Sequence, residues 1–150
     1  MRSTWVTVLT ACIGLAGSGN LAGAELFSAT RMVVAIMAGD LFVGEAEGHL
    51  SGAGTLAIRS QKNPALSCEG QFTSSAALGG AGELHCSDGA TATFRFKRLT
   101  VFRGYGDGHF SRGAMSFAYG FAVEEAGSYL KLPEGKKLMH NGVRLALFDL

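Results

Sequence analysis

Residues 67–89 read SCEGQFTSSAALGGAGELHCSDG and contain two cysteines, Cys68 and Cys86, separated by 18 positions. Polar and apolar residues alternate on both sides of the glycine-rich middle of this stretch. Successive side chains of a β-strand point to opposite faces, so Cys68 shares a face with Gly70 and Phe72, and Cys86 shares one with Leu84. The stretch therefore predicts two neighbouring strands with both sulfur atoms on their apolar side.

The cysteine pair has three interpretations: a zinc site, a redox pair or a structural disulfide. Zinc sites and redox pairs favour short spacings such as Cys-x-x-Cys, which this pair does not have. A structural disulfide is typical of a chain that leaves the reducing cytoplasm. We therefore predict a disulfide between Cys68 and Cys86, which in the chain-entropy model stabilises the fold by roughly 3 kcal/mol.

The same alternation continues along the rest of the chain, and helical spacing is absent from it. Phe94 and Phe96 oppose Arg95 and Lys97. Further apolar sets at every second position are Leu56 and Ile58; Met115, Phe117 and Tyr119; Val143, Leu145 and Leu147. Turn-forming residues separate them at 38–40, 62–64, 79–80, 88–89, 133–135 and 141–142.

These patterns predict an all-β fold. We expect a single domain of about eight to ten antiparallel strands, arranged as a meander, a sandwich or a small barrel and pinned by one disulfide. Gly-x-Gly pairs recur at 52/54, 80/82 and 104/106 among the 22 glycines of the chain. Glycines at repeated strand positions mark bends or close backbone approach, so we expect a strongly twisted or closed sheet.

The first 24 residues have the layout of a secretory signal peptide. Arg2 precedes an apolar run from Trp5 to about Gly17, and small residues at 22–24 offer a cleavage site after Ala24. This interpretation leaves a domain of residues 25–150 in the periplasm or outside the cell. Alternatively, residues 9–12 (LTAC) resemble a bacterial lipobox, in which Cys12 would be acylated and would anchor the protein to the outer membrane.

Charge and hydropathy restrict the classes of partner. The chain has 13 basic and 12 acidic residues, and loss of Arg2 with the signal peptide balances them. A balanced chain does not favour nucleic acid or an anionic membrane as its partner. The longest later apolar run, Met32–Met37, has the length of a strand, so we expect no transmembrane span.

Two segments of the chain resemble each other: residues 44–51 (GEAEGHLS) and residues 104–111 (GYGDGHFS). If the two copies are neighbours, Glu47, His49, Asp107 and His109 supply two carboxylates and two imidazoles, which zinc, copper or iron accept as ligands. The alternative is two pairs of solvated strand residues with no metal.

Each copy also ends in a serine, Ser51 or Ser111, so acid, histidine and serine follow one another along a strand. Hydrolysis needs in addition a base within hydrogen-bond reach of the serine and a prepared site for the oxyanion, and neither is evident in the sequence. In the cluster at 85–89 (HCSDG), we interpret Cys86 as disulfide-bonded, residues 87–89 as a hairpin turn, and His85 as facing water.

Four basic residues lie close together at Arg95, Lys97, Arg98 and Arg103. Basic and aromatic residues that share one surface hold anionic polymers. Alternation favours a solvated cationic face with the phenylalanines in the core. The functional alternative is an anion-binding site for lipopolysaccharide, phosphate or an acidic partner.

The order of several motifs resembles a group of uncharacterised small secreted proteins of Gram-negative bacteria. These motifs are CEGQF at 68–72, GAGELHCSDG at 80–89, GYGDG at 104–108 and FAYG at 117–120. The glycine and aromatic rhythm is also similar to that of MORN-type repeats, although those repeats have a tyrosine where Cys68 stands here. The resemblance to the secreted proteins implies export and carries no activity.

The function that these observations favour is that of an exported cell-envelope β domain with a non-enzymatic role in binding or structure. The alternative is a metal-dependent or hydrolytic enzyme that uses the face of Glu47, His49, Asp107 and His109. We expect no cofactor and no nucleic acid. A cell-envelope component or a protein is the expected partner.

Overall fold

The computed structural model describes residues 28–150, which are almost entirely β-structure, as predicted. The signal peptide, its cleavage after Ala24 and the acylation of Cys12 lie outside the described residues. The elements are β1 (Ser28–Met37), β2 (Asp40–His49), β3 (Ala53–Ser60), β4 (Ser67–Ser75), β5 (Gly79–Cys86), β6 (Thr91–Arg98), β7 (Gly104–Phe110), β8 (Gly113–Tyr119), α1 (Val123–Ala126), a 3-10 turn (Gly127–Tyr129), β9 (Lys136–His140) and β10 (Leu145–Asp149).

Strands β1 to β8 form a closed antiparallel barrel in which each strand pairs with the next along the chain. The barrel closes where β1 pairs with β8, in a register that runs from Val33 opposite Tyr119 to Met37 opposite Met115. Closure leaves none of these eight strands with an unpaired edge. Of the three predicted arrangements, the small barrel is therefore the one formed.

The inside of the barrel alternates large and small side chains across neighbouring strands. Phe94 on β6 lies opposite Gly82 on β5 and Gly108 on β7. A Cβ atom at Gly106, the next inward position of β7, would lie only 2.0 Å from the carbonyl oxygen of Arg95. Only glycine lets β6 and β7 approach this closely. Of the expected alternatives, a strongly twisted or a closed sheet, the closed sheet is the one formed.

Large side chains close one end of the barrel. Met37, Phe42 and Met115 are at most 2% exposed there. Cys68 and Cys86 lie directly opposite each other on β4 and β5, with Cα atoms 3.9 Å apart, and form the predicted disulfide. The bond therefore joins neighbouring strands within the core.

The C-terminal segment packs on the outside of the barrel. Val34, Ile36 and Ala118 face outward from β1 and β8 and form a second core with residues that include Leu130 and Leu138. Because one face of β1 lines the barrel and the other meets this segment, residues 33–37 are all buried. This double burial explains why the second half of β1, residues 33–37, is an unbroken apolar run.

Two local predictions are wrong. Gly79 and Gly80 were expected to form a turn, but they begin β5, and the turn lies at residues 76–78. Val143 was expected to share a strand face with Leu145, but it lies in the turn before β10 and is 88% exposed. Within residues 28–150, no helix is long and apolar enough to cross a membrane.

Candidate functional site

The end of the barrel opposite the disulfide is open. A cavity of about 680 Å³ lies inside it, bordered by the start of β1 and by the connections at 50–52, 76–78 and 99–103. This volume falls in the range of about 300–1,000 Å³ that is typical of small-molecule sites. Small inward residues create the space: on β1, β2 and β4 the open end has Ala29, Gly48 and Ser74, where the closed end has Met37, Phe42 and Cys68.

Aromatic rings line the cavity. The ring centroid of Phe96 lies 5.7 Å from that of Phe72, 6.1 Å from that of Phe117 and 5.9 Å from that of Tyr119, all with edge-on geometry. Phe94 packs below them, with its centroid 5.1 Å from that of Phe117. The rings pack against one another, so contacts within the chain itself hold the apolar part of the site in place.

Two arginines stand at the mouth of this apolar cavity. Arg31 and Arg98 line it and are half-buried. The guanidinium carbon of Arg31 lies 4.3 Å from the ring centroid of Phe102, which holds that side chain over the opening. Among the ion pairs formed within residues 28–150, none involves either arginine. The mouth therefore carries positive charge that carboxylates of the described chain do not neutralise.

Tyr119 adds a polar group to the same wall. Burial raises the pKa of its hydroxyl above the ordinary value of 10.0, and the positive charge of Arg98 opposes that shift. Because burial is the larger effect, Tyr119 is neutral at physiological pH and its O–H can donate a hydrogen bond. The mouth thus combines two cations and one neutral donor above an aromatic floor.

The structure does not bring the duplicated segments together. Glu47 and His49 lie in the outward phase of β2, where His49, at the end of the strand, also borders the cavity, whereas Asp107 and His109 point outward from β7. Strands β1 and β8 lie between them, about 14 Å across the sheet, and the register places Glu47 level with Thr30 of β1 but Asp107 level with Ile36, about 20 Å further along the strand. Within residues 28–150, no group of three or more acidic, histidine or cysteine side chains could hold a metal ion. The proposed four-ligand metal site needs adjacent copies, and the barrel order separates them.

The serines of the two copies have backbone partners. The hydroxyl of Ser111 accepts a hydrogen bond from the Thr91 amide at 2.7 Å and donates one to the Thr91 carbonyl at 2.9 Å. Ser51 lies in the turn after β2, where its hydroxyl accepts from the Ala53 amide. These contacts tie β6 to the end of β7 and shape the turn, so the geometry favours a structural role for both serines.

The four basic residues divide among three environments. Arg95 and Lys97 point outward from β6, whereas Arg98 turns into the barrel mouth. Arg103 lies near the C-terminal segment, with a nitrogen 3.8 Å from Glu125 and its guanidinium 5.4 Å from the Phe121 ring centroid. The four therefore do not form one anion-binding surface. The expectation that all the cations face solvent is wrong for Arg98.

Residues 87–89 form the hairpin turn between β5 and β6, as predicted, and His85 and Cys86 end β5. The carboxylate of Asp88 accepts a hydrogen bond from the Ala90 amide at 3.0 Å and pairs with Arg112. The Ala90 hydrogen bond, followed by Arg112, lowers the pKa of Asp88 below its ordinary value. His85 is exposed, with a nitrogen 3.7 Å from Glu83. These contacts hold a turn and form no catalytic group.

Two further hollows lie on the outer surface of the barrel. One, of about 830 Å³, runs past Arg95, Lys97 and Lys131, and the other, of about 790 Å³, runs past Glu47, Glu69 and Glu83. Both are shallow grooves between outward side chains. The mouth of the barrel is smaller but is walled by strands on all sides, so it offers a ligand more contact.

Sequence reasoning did not identify the cavity, Arg31 or Tyr119 as parts of a site. Alternation did contain part of the signal: Arg98 follows the inward residues Phe94 and Phe96 at the same spacing of two. Arg31 likewise precedes the inward residue Val33 by two positions. A charged residue on the same strand face as core residues is unusual. Arg31 and Arg98 are both in this position, and both lie at the mouth of the cavity.

Comparison with known proteins identifies no relative, so the function of the site is inferred from its geometry. A scan of protein-family models, a search of curated proteins and a search of solved structures each found no match to this chain. The resemblance to small secreted proteins and to MORN-type repeats therefore remains a prediction.

Proposed function

We propose that this chain is a binding protein that holds a small anionic amphiphile, a molecule with an apolar tail and a negatively charged head, in the open end of its barrel. The observation that carries the proposal is the pairing of Arg31 and Arg98 with an aromatic cavity of about 680 Å³. Eight-stranded barrels are wide enough to hold one small ligand in this way.

The two halves of the site match the two halves of such a ligand. An apolar tail would lie between Phe72, Phe96 and Phe117, where it would be removed from water. A carboxylate, sulfate or phosphate head would meet the guanidinium groups, which recognise planar anions through paired hydrogen bonds. The hydroxyl of Tyr119 supplies one further donor.

The proposal also includes export. A buried disulfide supports folding in an oxidising compartment, which is where the signal peptide interpretation places the chain. The ligand would then be an amphiphile of the cell envelope or of the surroundings. Intact mass and N-terminal sequencing of the exported protein test this part, since the proposal expects a chain without residues 1–24, or one acylated at Cys12.

Binding is tested with dansylamino-undecanoic acid, an anionic amphiphile whose fluorescence rises in an apolar environment. Dodecanoate, dodecanol and dodecylammonium then compete for the site, because they share one chain length and differ in head charge. We expect dodecanoate to displace the probe best and dodecylammonium least. Equal displacement by all three would show that the site does not select an anionic head group. Absence of probe binding would reject the proposed function.

Arg98 and Arg95 provide a matched pair of variants, since they lie on the same strand and point to opposite faces. Arg98→Gln should weaken probe binding by about tenfold, because a hydrogen bond to a charged group contributes roughly 1.5–3 kcal/mol. Arg95→Gln should leave the affinity within about twofold. If both variants weaken probe binding equally, the affinity depends on the net charge of the chain and not on the position of Arg98 at the mouth.

A further inference from the structure

We propose that the open rim of the barrel docks on an anionic lipid surface, so that the amphiphile passes directly between a bilayer and the cavity. The proposal rests on the proposed function for its purpose, but the docking itself is tested separately below. The rim is defined as the three connections at residues 50–52, 76–78 and 99–103.

Each connection of the rim exposes large apolar side chains. Leu50 is 79% exposed, Leu78 is 89% exposed and Val101 is 68% exposed, and these three residues belong to three different connections. Leu99 and Phe102 add half-exposed apolar area on the third connection. Single exposed leucines are ordinary on protein surfaces, but here five such residues lie on the three connections at one end of the barrel, and Leu50, Val101 and Phe102 line the cavity itself.

The closed end of the same barrel provides an internal comparison. Its connections, at residues 38–39, 61–66, 87–90 and 111–112, carry none of the exposed large apolar side chains found within residues 28–150. They carry paired charges instead, with Lys62 near Asp40 and Arg112 near Asp88. The apolar character is therefore specific to the open end and is not a general property of the connections.

Charge also distinguishes the rim. Residues 49–53, 74–80 and 98–103 contain no aspartate or glutamate. Arg31 and Arg98 stand beside these connections and form no ion pair with the described carboxylates. The balanced net charge of the chain thus conceals a local positive charge, which complements anionic phospholipid head groups.

The shape of the rim favours a bilayer over a folded partner. The apolar residues are distributed over three connections around one end of the barrel. Protruding apolar residues with nearby arginines suit the boundary between lipid head groups and acyl chains, where apolar groups insert and cations stay at the surface. Docking in this orientation would place the mouth against the membrane.

The experiment measures vesicle co-sedimentation of protein expressed from the complete sequence, with every variant compared in the same processed form. Vesicles of phosphatidylcholine alone are compared with vesicles that also contain phosphatidylglycerol. We expect binding to the anionic vesicles that weakens as salt is added. Replacing all three tips (Leu50→Ser, Leu78→Ser, Val101→Ser) should reduce that binding at least tenfold, because burial of apolar side chains drives insertion.

The matched control replaces exposed apolar residues away from the rim. Met139→Ser and Val143→Ser, on the C-terminal hairpin, remove side chains that are 43% and 88% exposed. This pair should change vesicle binding by less than about twofold. Equal binding by wild type and the tip variant overturns the proposal, and so does equal loss in the control.

Probe titration without vesicles separates docking from the proposed function. A second rim variant, Leu78→Ser with Leu99→Ser, changes two exposed residues that do not line the cavity. It should weaken vesicle binding and still bind dansylamino-undecanoic acid within about threefold of wild type, since the aromatic floor and both arginines remain. Vesicle binding without probe binding would support docking and reject the ligand. Probe binding without vesicle binding would reject docking alone, and would point to a protein partner at the rim.

Discussion

The substitution Gly106→Ala should severely destabilise the barrel. The new Cβ would lie 2.0 Å from the carbonyl oxygen of Arg95 and 2.7 Å from the Cα atom of Phe96. Ordinary contacts of a Cβ atom lie at 3.4–4 Å, so β6 and β7 would have to separate by more than 1 Å. Overpacking a well-filled core costs about 1–3 kcal/mol, and a clash with backbone should cost about 3 kcal/mol or more.

The control is Gly48→Ala, at another inward glycine. Its Cβ would meet nothing closer than the Phe72 ring at 3.8 Å, and its φ is not in the left-handed region. Alanine there should stabilise the protein by about 0.4–1 kcal/mol, because it restricts the unfolded chain.

Urea denaturation followed by circular dichroism measures the free energy of unfolding of both variants. If Gly106→Ala is as stable as wild type, or if the two substitutions cost the same, the argument from close strand approach is refuted.

Three further predictions concern single interactions. Replacing Cys68 and Cys86 together with serine should lower the free energy of unfolding by roughly 3 kcal/mol, because the bond restricts the unfolded chain; a double variant as stable as wild type under urea would contradict this. Tyrosinate absorbance should show Tyr119 ionising above pH 10.0, and Tyr119→Phe should remove this late component. Its raised pKa stabilises the fold below pH 10.0, and this contribution is lost as pH rises through the folded value. Carbon NMR should place the pKa of Asp88 below 3.8, so its stabilising contribution is present at neutral pH and is lost as pH falls through the folded value. Arg112→Gln should restore that pKa only in part, because the Ala90 amide is the larger cause.

The strands and the disulfide could be predicted because their signals are local. Cys68 and Phe72, or Phe94 and Phe96, show by their spacing which side of a strand is apolar. Because a short turn joins the two strands, cysteines on the same face of each strand are expected to lie opposite each other. The same reasoning fixed most turns, and it failed at Gly79, where a glycine that tolerates positive φ begins a strand.

The strand pairing that closes the barrel and the site could not be predicted because they depend on contacts between distant residues. The alternation of polar and apolar residues does not predict that Val33 pairs with Tyr119, more than 80 positions away. That pairing determines the order of the strands around the barrel, and the order separates His49 from His109. It also gathers Arg31 and Arg98 at one mouth. An alternating pattern shows which side chains share one face of a strand. The curvature of the closed sheet determines which strand faces line the same cavity.

Filling the mouth tests the central claim most directly. Gly48 borders the cavity and has room for a Cβ atom, so the side chain of Gly48→Leu should extend into the space of the ligand. In a fluorescence titration, wild type should bind one dansylamino-undecanoate per chain, and Gly48→Leu, with unfolding stability equal to or above wild type, should bind it at least tenfold more weakly. Undiminished binding by a folded Gly48→Leu variant would place the ligand elsewhere and contradict the account.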